Sequence, residues 1–424
     1  MHRIIKNTIL QYIPQEFSVE NTTNPARIFE LNQNEIKKGN IVYLCEREIR
    51  TKDNFALQFA NQLVNAYNFS LKIIHPKILY KHKPKNIFIE KQIEQVKRQF
   101  QYANYDFEIF ADDDILGYLK NLNTAILIVD FNPILARKYL QNATFKLYEI
   151  DSHNIVPARF VSDKQEYNAA TMRRKLYFNI YNFLTDYKNN YTPKMEADFV
   201  LDDFIRNKLP YYAQYKNNPE YNVLSGLSKY INLGFISSQR IALEVIKSAV
   251  SDDNKEVFLE ELIVRKELAD NFCLYANYSN FSGTPIWAQH SLKQHRYDLR
   301  PYIYSKQDLE NSNTNDKLWN ATQTQLKQEG IIHGYLRMYW AKKILEWTHS
   351  PADALKIAYY LNDKYAYDAP SPNGYVGILW AIGALHDRAF VDMPVTGKIR
   401  RMTFNSIKRK FDLEKYIQKY STKK

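Results

Sequence analysis

The chain of 424 residues is long enough for two or three domains, each with a large core. Its 45% hydrophobic and 25% charged residues are typical of a globular protein and exclude an intrinsically disordered chain. A formal net charge of +12 favours a polyanionic partner, although an AT-rich coding sequence would also enrich lysine, asparagine, isoleucine and tyrosine.

The amino terminus and the cysteines favour a cytoplasmic protein without a membrane segment. The start, MHRIIKNTILQYIP, has no secretory cleavage pattern, and no apolar run approaches the ~20 residues that cross a bilayer. Cys45 and Cys273 have neither metal-ligand spacing nor a disulfide framework, so we expect two buried free thiols and no metal site. A monomer is our default oligomeric state.

The first half of the chain predicts alternating strands and helices. The strand-like runs are NIVYLCE, SLKIIHP, FEIFAD and TAILIVDF. Helical periodicity lies between or after them, near 53–67, 86–103 and 132–141. This order favours a doubly wound parallel α/β domain over residues 1–175. The loop after the first of these runs, CEREIRTKDN, has no glycine, which disfavours an NAD-type site.

A polar connector over 176–200 leads to a predicted all-α domain over 201–424. Helical periodicity dominates there, as in SSQRIALEVIKSAV and PADALKIAYYLNDKY. All the tryptophans lie in this half: Trp287, Trp319, Trp340, Trp347 and Trp380. Trp340 and Trp347 are two helical turns apart and share one helix face, a spacing that core packing alone would explain.

Positive charge is concentrated at the carboxyl end. Residues 391–424 hold ten Lys or Arg against three Asp or Glu, so +7 of the +12 lies there. Aromatic residues are interleaved in GKIRRMTF and IKRKFDLEKY. Cations neutralise phosphates and aromatic rings stack on exposed bases, so this segment predicts nucleic-acid binding. A solvated basic tail is the alternative.

Several long motifs follow one another in the second half. They are ELIVRKELADNFCLYANY, LWNATQTQL, HGYLRMYWAKKILEW, LNDKYAYD, PNGYVGILWAIG, VTGKIRRMTF and KRKFDLEKYI. Together they closely resemble the class II cyclobutane pyrimidine dimer (CPD) photolyases over most of 147–420. The resemblance implies the photolyase/cryptochrome fold and light-dependent repair of UV-damaged DNA. Reduced, anionic FAD would donate an electron to a dimer flipped out of the duplex.

The resemblance also implies the flavin-binding residues. Tyr212 would contact the flavin, and the turn that meets the diphosphate would be Ser225, Gly226, Leu227 and Ser228. Arg337 and Asp368 would form an ion pair beside the flavin ring, and Asn362 would face its reactive nitrogen. An antenna chromophore, either a deazaflavin or a folate, is implied as an option for the first domain, and its absence is the alternative.

The same resemblance assigns roles around the lesion. Glu261 would hydrogen-bond the dimer, with Met338 and Trp380 packed against it and Asn362 completing the catalytic set. The implied DNA contacts are Lys216, Arg265, Arg400 and Arg401. The implied electron-transfer residues, which reduce an oxidised flavin under light, are Trp319, Trp340 and Trp347.

The chain departs from the family pattern at several positions, so alternatives stay open. The departures are Lys216, Lys229, Asn232, Ala369, Pro370 and Ser371. The alternatives are a cryptochrome-like flavin photoreceptor without repair activity, a photolyase of reduced activity and a flavin-free nucleic-acid-binding protein. Repair of the (6-4) lesion is a further alternative, which the class II motifs disfavour. Retention of Glu261, Met338 and Trp380 favours repair.

Overall fold

The structure is a computed structural model that describes residues 8–111, 114–187 and 192–421. Its strands are β1 Val19–Glu20, β2 Ile28–Glu30, β3 Asn40–Leu44, β4 Leu71–Pro76, β5 Phe107–Phe110, β6 Thr124–Asp130, β7 Lys146–Ile150 and β8 Asp186–Tyr187. One six-stranded sheet has the order β2-β7-β6-β3-β4-β5, and β1 pairs separately with β8. In the large sheet only β2 is antiparallel to its neighbour. The predicted parallel sheet is therefore confirmed.

In its described residues, the first half of the chain also contains five α-helices, three between the strands of this sheet and two after its last strand along the chain. They are α1 Phe55–Tyr67, α2 Lys83–Tyr102, α3 Ile115–Asn121, α4 Ala158–Val161 and α5 Ala169–Phe183. The central strand β3 is buried on both faces: its residues 41–44 have no solvent exposure. This is why the central strands read as continuous apolar runs rather than as alternating ones.

The helix predicted near 132–141 is wrong. Only a 3-10 turn, Lys138–Leu140, forms there. Arg137 is instead held at the carboxyl ends of the strands, where it pairs with Glu46 at 2.7 Å. The crossover from β5 to β6 is made by α3, which begins at the side-chain cap supplied by Asp114. Partly buried ion pairs outweigh a weak local preference for helix.

The second half is helical. Its α-helices are α6 Glu196–Asp203, α7 Tyr212–Tyr215, α8 Ser228–Asn232, α9 Ser238–Lys247, α10 Asp252–Leu259, α11 Lys266–Tyr275, α12 Ile286–Gln294, α13 Lys306–Glu310, α14 Lys317–Glu329, α15 Gly334–Glu346, α16 Pro351–Tyr365, α17 Pro372–Gly383, α18 Phe404–Lys408 and α19 Glu414–Lys419. Two π-helical segments, Phe204–Lys208 and Glu260–Arg265, follow α6 and α10. In the described ranges, no helix combines the length and apolar character needed to span a bilayer.

The helical core is formed where α15, α16 and α17 pack against one another, with α14 on α15 and α11 on α17. Trp319 and Trp340 are among its largest fully buried side chains. The domain limits at 175 and 200 stay a prediction: α5 runs through the first and α6 through the second.

The predicted free thiols are confirmed, since Cys45 and Cys273 are both buried and unbridged. Burial raises the pKa of each thiol well above its usual value, which keeps both thiols protonated and poorly reactive. Among the residues that the structure describes, no cluster of His, Cys, Asp and Glu could hold a metal ion.

Buried charges join α11 to the sheet. Arg47, just after β3, pairs with Asp270 at 3.0 Å, and both side chains are almost fully buried. Lys266 donates to the His153 carbonyl at 2.9 Å, and Glu267 accepts from the Ile155 amide at 2.7 Å. Burial raises the pKa of Glu267 to about 8. A buried charge is tolerated only when it is paired, so these contacts fix where α11 lies.

We expect Asp270→Ala to destabilise the protein strongly. The change leaves Arg47 buried without its carboxylate, which costs about 3–5 kcal/mol of the free energy of unfolding. The measurement is chemical denaturation of both proteins. Glu94→Ala is the control because Glu94 pairs with Lys97 at 2.7 Å on the exposed surface. Equal destabilisation by the two changes would contradict the role given to the buried pair.

Candidate functional site

Three tryptophans form a connected group in the helical core. The Trp340 and Trp319 rings lie parallel, with centroids 6.5 Å apart, and Trp319 meets Trp347 edge-on at 5.6 Å. Trp319 Nε1 donates to the Trp340 carbonyl at 3.0 Å, and Trp340 Nε1 donates to Gln323 Oε1 at 2.8 Å. Although Trp340 and Trp347 are spaced to share a helix face, their ring contacts run through Trp319 on the neighbouring helix α14.

Two tyrosines continue this group to the surface. Tyr304 meets Trp347 edge-on at 5.3 Å, and Tyr302 stacks on Tyr304 at 6.2 Å. Tyr302 is 49% exposed, whereas Trp347 is only 5% exposed. Sequence reasoning missed both residues, since alternating tyrosines in a loop give no periodic signal. The five rings form a path from the core to solvent.

A polar cluster interrupts the apolar core between α15, α16 and α17. Arg337 on α15 pairs with Asp368 at 3.3 Å. Asn362 on α16 is 2% exposed, and its Nδ2 donates to Asp363 Oδ1 at 3.0 Å. Gly374 leaves room for this amide, because a Cβ at that position would lie only 3.1 Å from Asn362 Nδ2. Arg337 and Asn362 thus lie on two helices that pack against each other, α15 and α16, and Asp368 lies in the loop between α16 and α17.

The predicted phosphate turn precedes α8. Gly226 has φ +69°, a backbone conformation that disfavours side chains, and a Cβ there would meet no atom within 4 Å. Ser225 Oγ accepts from the Leu227 amide at 3.3 Å, and Ser228 is exposed. Tyr212 is buried, which raises the pKa of its hydroxyl, and its ring meets Phe258 edge-on at 5.4 Å.

Two of the departures from the resembled motifs, Asn232 and Pro370, contact each other across elements. Asn232 Nδ2 donates to the Pro370 carbonyl at 2.9 Å. Ser371 Oγ accepts from a backbone amide of the first turn of α17 at 3.1 Å and so caps that helix. Lys229 lies 4.6 Å from the ring centroid of Phe88 on α2. Ala369 is fully buried.

The remaining predicted residues lie on half-buried or exposed positions. Glu261, in the π-helical segment, is 45% exposed and pairs with Lys216 at 2.7 Å. Arg265 reaches Glu260 at 3.3 Å. Met338 and Trp380 are half-buried, and Lys342 Nζ lies 4.9 Å from the Trp380 ring centroid. Burial lowers the pKa of Lys342 to about 8, although it donates to the Ala381 carbonyl at 2.9 Å.

The predicted basic segment spans 391–424, of which 422–424 lie outside the described residues; the lysines and arginines described from 398 to 419 are exposed. Arg400 lies 5.8 Å from the Phe390 ring centroid. Arg401 Nε is 3.5 Å from Glu346 Oε1. The next basic residues, Lys408, Arg409 and Lys410, are exposed around the end of α18. This surface can neutralise a polyanion.

Comparison with known proteins identifies the family. No family model matches the chain. It is 36% identical to the deoxyribodipyrimidine photo-lyase of Potorous tridactylus over 90% of this chain and 81% of the relative. The enzymes of the same name from Arabidopsis thaliana and Methanothermobacter thermautotrophicus are 35% and 32% identical, over 89% and 93% of this chain and 88% and 97% of the relatives. The chain belongs to the deoxyribodipyrimidine photo-lyase family. The predicted enzyme class is thus confirmed.

Solved structures agree on the photo-lyase fold. A class III photolyase from Agrobacterium tumefaciens matches with a TM-score of 0.66 at 13% identity, covering 91% of this chain and 87% of that one. A Synechocystis cryptochrome matches with a TM-score of 0.68 at 11% identity, covering 92% and 89%. At these identities the likeness concerns the fold alone. The curated relatives at 32–36% identity are named photo-lyases, so the photoreceptor alternative is not favoured.

This photo-lyase also has a large cavity beside the sheet. About 780 Å³ lies where the carboxyl ends of β4 and β5 meet the helical half. Apolar side chains such as Ile49, Ile89 and Ile134 line it, and Tyr375 and Asn232 contribute from the helical half. Local sequence patterns do not predict this cavity, because its walls come from segments that are distant along the chain.

We expect Gly226→Ala to lower the free energy of unfolding of the photo-lyase by about 1 kcal/mol, because the Cβ of alanine is strained in the left-handed backbone conformation at this position. Gly377→Ala is the matched control. Gly377 lies within α17, and a Cβ there would also meet no atom within 4 Å, so alanine should stabilise by about 0.5–1 kcal/mol. Urea denaturation without added ligand measures both. Changes of the same sign would contradict the conformational argument.

Proposed function

We propose that this enzyme is a class II photolyase that repairs CPDs in DNA under light. The observation that carries the proposal is the buried group of Trp340, Trp319 and Trp347, because adjacent oxidisable rings can serve electron transfer as well as packing. The shared name of the relatives supports a deoxyribodipyrimidine substrate. The quoted motifs support class II, and UV-damaged DNA is then the partner.

The residues present fit FAD as the resident cofactor. The turn at Gly226 is open where a side chain would project, and the hydroxyls of Ser225 and Ser228 flank it, which suits a diphosphate. The flavin ring of FAD would be held by Tyr212, Arg337, Asn362 and Asp368. When bound, reduced FAD supplies, on excitation by light, the electron that opens the cyclobutane ring.

The lesion would be held by Glu261, Trp380 and Met338. Glu261 is available at the surface, where the dimer would compete with Lys216 for its carboxyl group. A hydrogen bond donated by the protonated carboxyl group of Glu261 would stabilise negative charge that develops on a base carbonyl. Stacking of one base on the Trp380 indole is worth ~1–3 kcal/mol, which offsets part of the cost of base flipping.

Basic residues would position the duplex. Arg400 would enter the gap left by the flipped bases, and Arg401 and Arg265 would meet phosphates. Lys216 keeps the positive charge of an arginine but lacks the planar fork, so its phosphate contact would be less directional. The exposed charge after residue 391 makes the binding dependent on salt concentration.

The aromatic path would keep the enzyme reduced. Trp347, Trp319 and Trp340 would pass electrons from the surface towards the flavin site. Tyr304 and Tyr302 extend this path to solvent, since their rings continue the contacts beyond Trp347.

An antenna chromophore would occupy the cavity of about 780 Å³. Its apolar walls and Tyr375 suit a flat heterocycle, and deazaflavin and folate are both of that kind. A photolyase of this fold from Sulfolobus tokodaii, matched at 13% identity with a TM-score of 0.66 over 90% of each chain, is described with two FAD molecules and the implication of a novel light-harvesting cofactor.

Blue light should restore the thymine absorbance of an oligonucleotide that carries one thymine CPD, and matched darkness should not. The assay uses purified, FAD-holding, photoreduced enzyme. An oligonucleotide with one (6-4) product is the substrate control. Recovery on that lesion alone would overturn the CPD assignment, and recovery on neither lesion would favour the photoreceptor alternative.

We expect Trp319→Phe to abolish light-driven reduction of bound FAD while repair by chemically reduced enzyme persists. Phenylalanine preserves an aromatic ring in the core but is much harder to oxidise. Trp287→Phe is the control because Trp287, on α12, lies outside the described group of ring contacts. Reduction is followed by the loss of flavin absorbance under blue light with a thiol donor. Unchanged reduction in Trp319→Phe would contradict the electron path.

A further inference from the structure

The Asn362 amide has a defined orientation. Its Nδ2 donates to Asp363 Oδ1 at 3.0 Å, inside a site where Asn362 is 2% exposed. A primary amide has a donor end and an acceptor end, so engaging Nδ2 turns the carbonyl oxygen elsewhere. Gly374 lies close to this amide: a Cβ at that position would be only 3.1 Å from Asn362 Nδ2, so the absence of a side chain there leaves room for the amide.

Besides Asn362 on its own helix, residues of α17 and α2 hold Asp363 in place. Its Oδ2 accepts from the Tyr375 hydroxyl on α17 at 2.9 Å. Lys85 on α2 has no solvent exposure and donates to the Asp363 carbonyl at 3.1 Å and to the Ala369 carbonyl at 2.6 Å. Both carboxylate oxygens of Asp363 therefore accept hydrogen bonds. Burial raises the pKa of Asp363, and the hydrogen bonds from Asn362 and Tyr375 and the charge of Lys85 offset part of that rise. Adjacent residues of a helix, such as Asn362 and Asp363, do not normally face each other. The hydrogen bond from Tyr375 therefore helps to hold the Asp363 carboxylate near the Asn362 amide.

We propose that Asp363 is a positioning residue that fixes the Asn362 amide with its carbonyl oxygen towards the flavin site. This inference rests on the proposed function, in which Asn362 faces the reactive ring nitrogen of FAD. An amide oxygen accepts from a protonated ring nitrogen, and an amide NH2 group donates to an unprotonated one. The orientation set by Asp363 therefore favours reduced flavin, which carries that proton, over oxidised flavin.

Asp363→Asn tests the inference with almost no change in volume. The new amide can accept from Tyr375 with its oxygen and so turns its NH2 group towards Asn362. Asn362 must then accept with its own oxygen and present its NH2 group to the flavin. We expect the equilibrium between reduced and oxidised bound flavin, measured against a reference dye, to shift about tenfold towards oxidised flavin, or about 30 mV for a two-electron couple.

A double-mutant cycle separates positioning from loss of charge. If Asp363 acts through Asn362, Asp363→Asn should shift the potential in the wild-type background and should have no further effect in an Asn362→Ala background. Equal shifts in both backgrounds, or no shift in either, would overturn the proposal. Asp353→Asn, an exposed change in the first turn of the same helix, is the matched control and should leave the potential unchanged.

A second variant keeps the test open if Asp363→Asn does not fold. Tyr375→Phe retains the carboxylate but removes its second restraint, so we expect a smaller shift in the same direction, and no shift would overturn the proposal. Circular dichroism and FAD stoichiometry verify each protein. Wild-type enzyme that holds no FAD would overturn the proposed function together with this inference. Wild-type enzyme that holds FAD and repairs DNA, with Asp363→Asn at an unchanged potential, would overturn this inference alone.

Discussion

Paired charges buried between the sheet and α11 are the constraint on which the rest of the structure depends. The ion pair between Arg47 and Asp270, and the contacts of Lys266 and Glu267 with the segment after β7, are almost free of solvent. Moving α11 by a fraction of a helical turn would leave several of these groups without partners. Each buried charge or polar group left without a partner would carry its full desolvation cost, so these contacts fix the position of α11 closely.

The fixed position of α11 determines both sides of the candidate site. Its preceding π-helical segment carries Glu261 at the surface, and α11 also packs on α17, which carries Trp380. A π-helical segment adds a residue to the helical turn and so turns the following side chains relative to a regular α-helix. Glu261 and Trp380 are thus placed by the helical segment that precedes α11 and by a helix that packs on α11.

A second group of hydrogen bonds connects α2 and α8 to α16 and to the loop that follows it. Lys85 spans from α2 to the carbonyls of Asp363 and Ala369, and Asn232 donates to the Pro370 carbonyl. The segment 369–371, which departs from the family pattern, is therefore held by donors from two elements. Because these donors bind main-chain carbonyls, their hydrogen bonds do not depend on the side chains at 369 and 370.

The sequence by itself determined the order of most strands and helices, the basic carboxyl end and the motifs from which the site residues are proposed, because periodicity, charge and long motifs are local properties. It failed at 132–141, where ion pairs of Arg137 with distant carboxylates prevailed over helical preference. Only the tertiary structure decided that Trp319 stands between Trp340 and Trp347, that Tyr304 extends their path, and that Asp363 restrains the Asn362 amide. These facts depend on contacts between separate helices and on rotamers, which packing selects and a linear pattern does not encode.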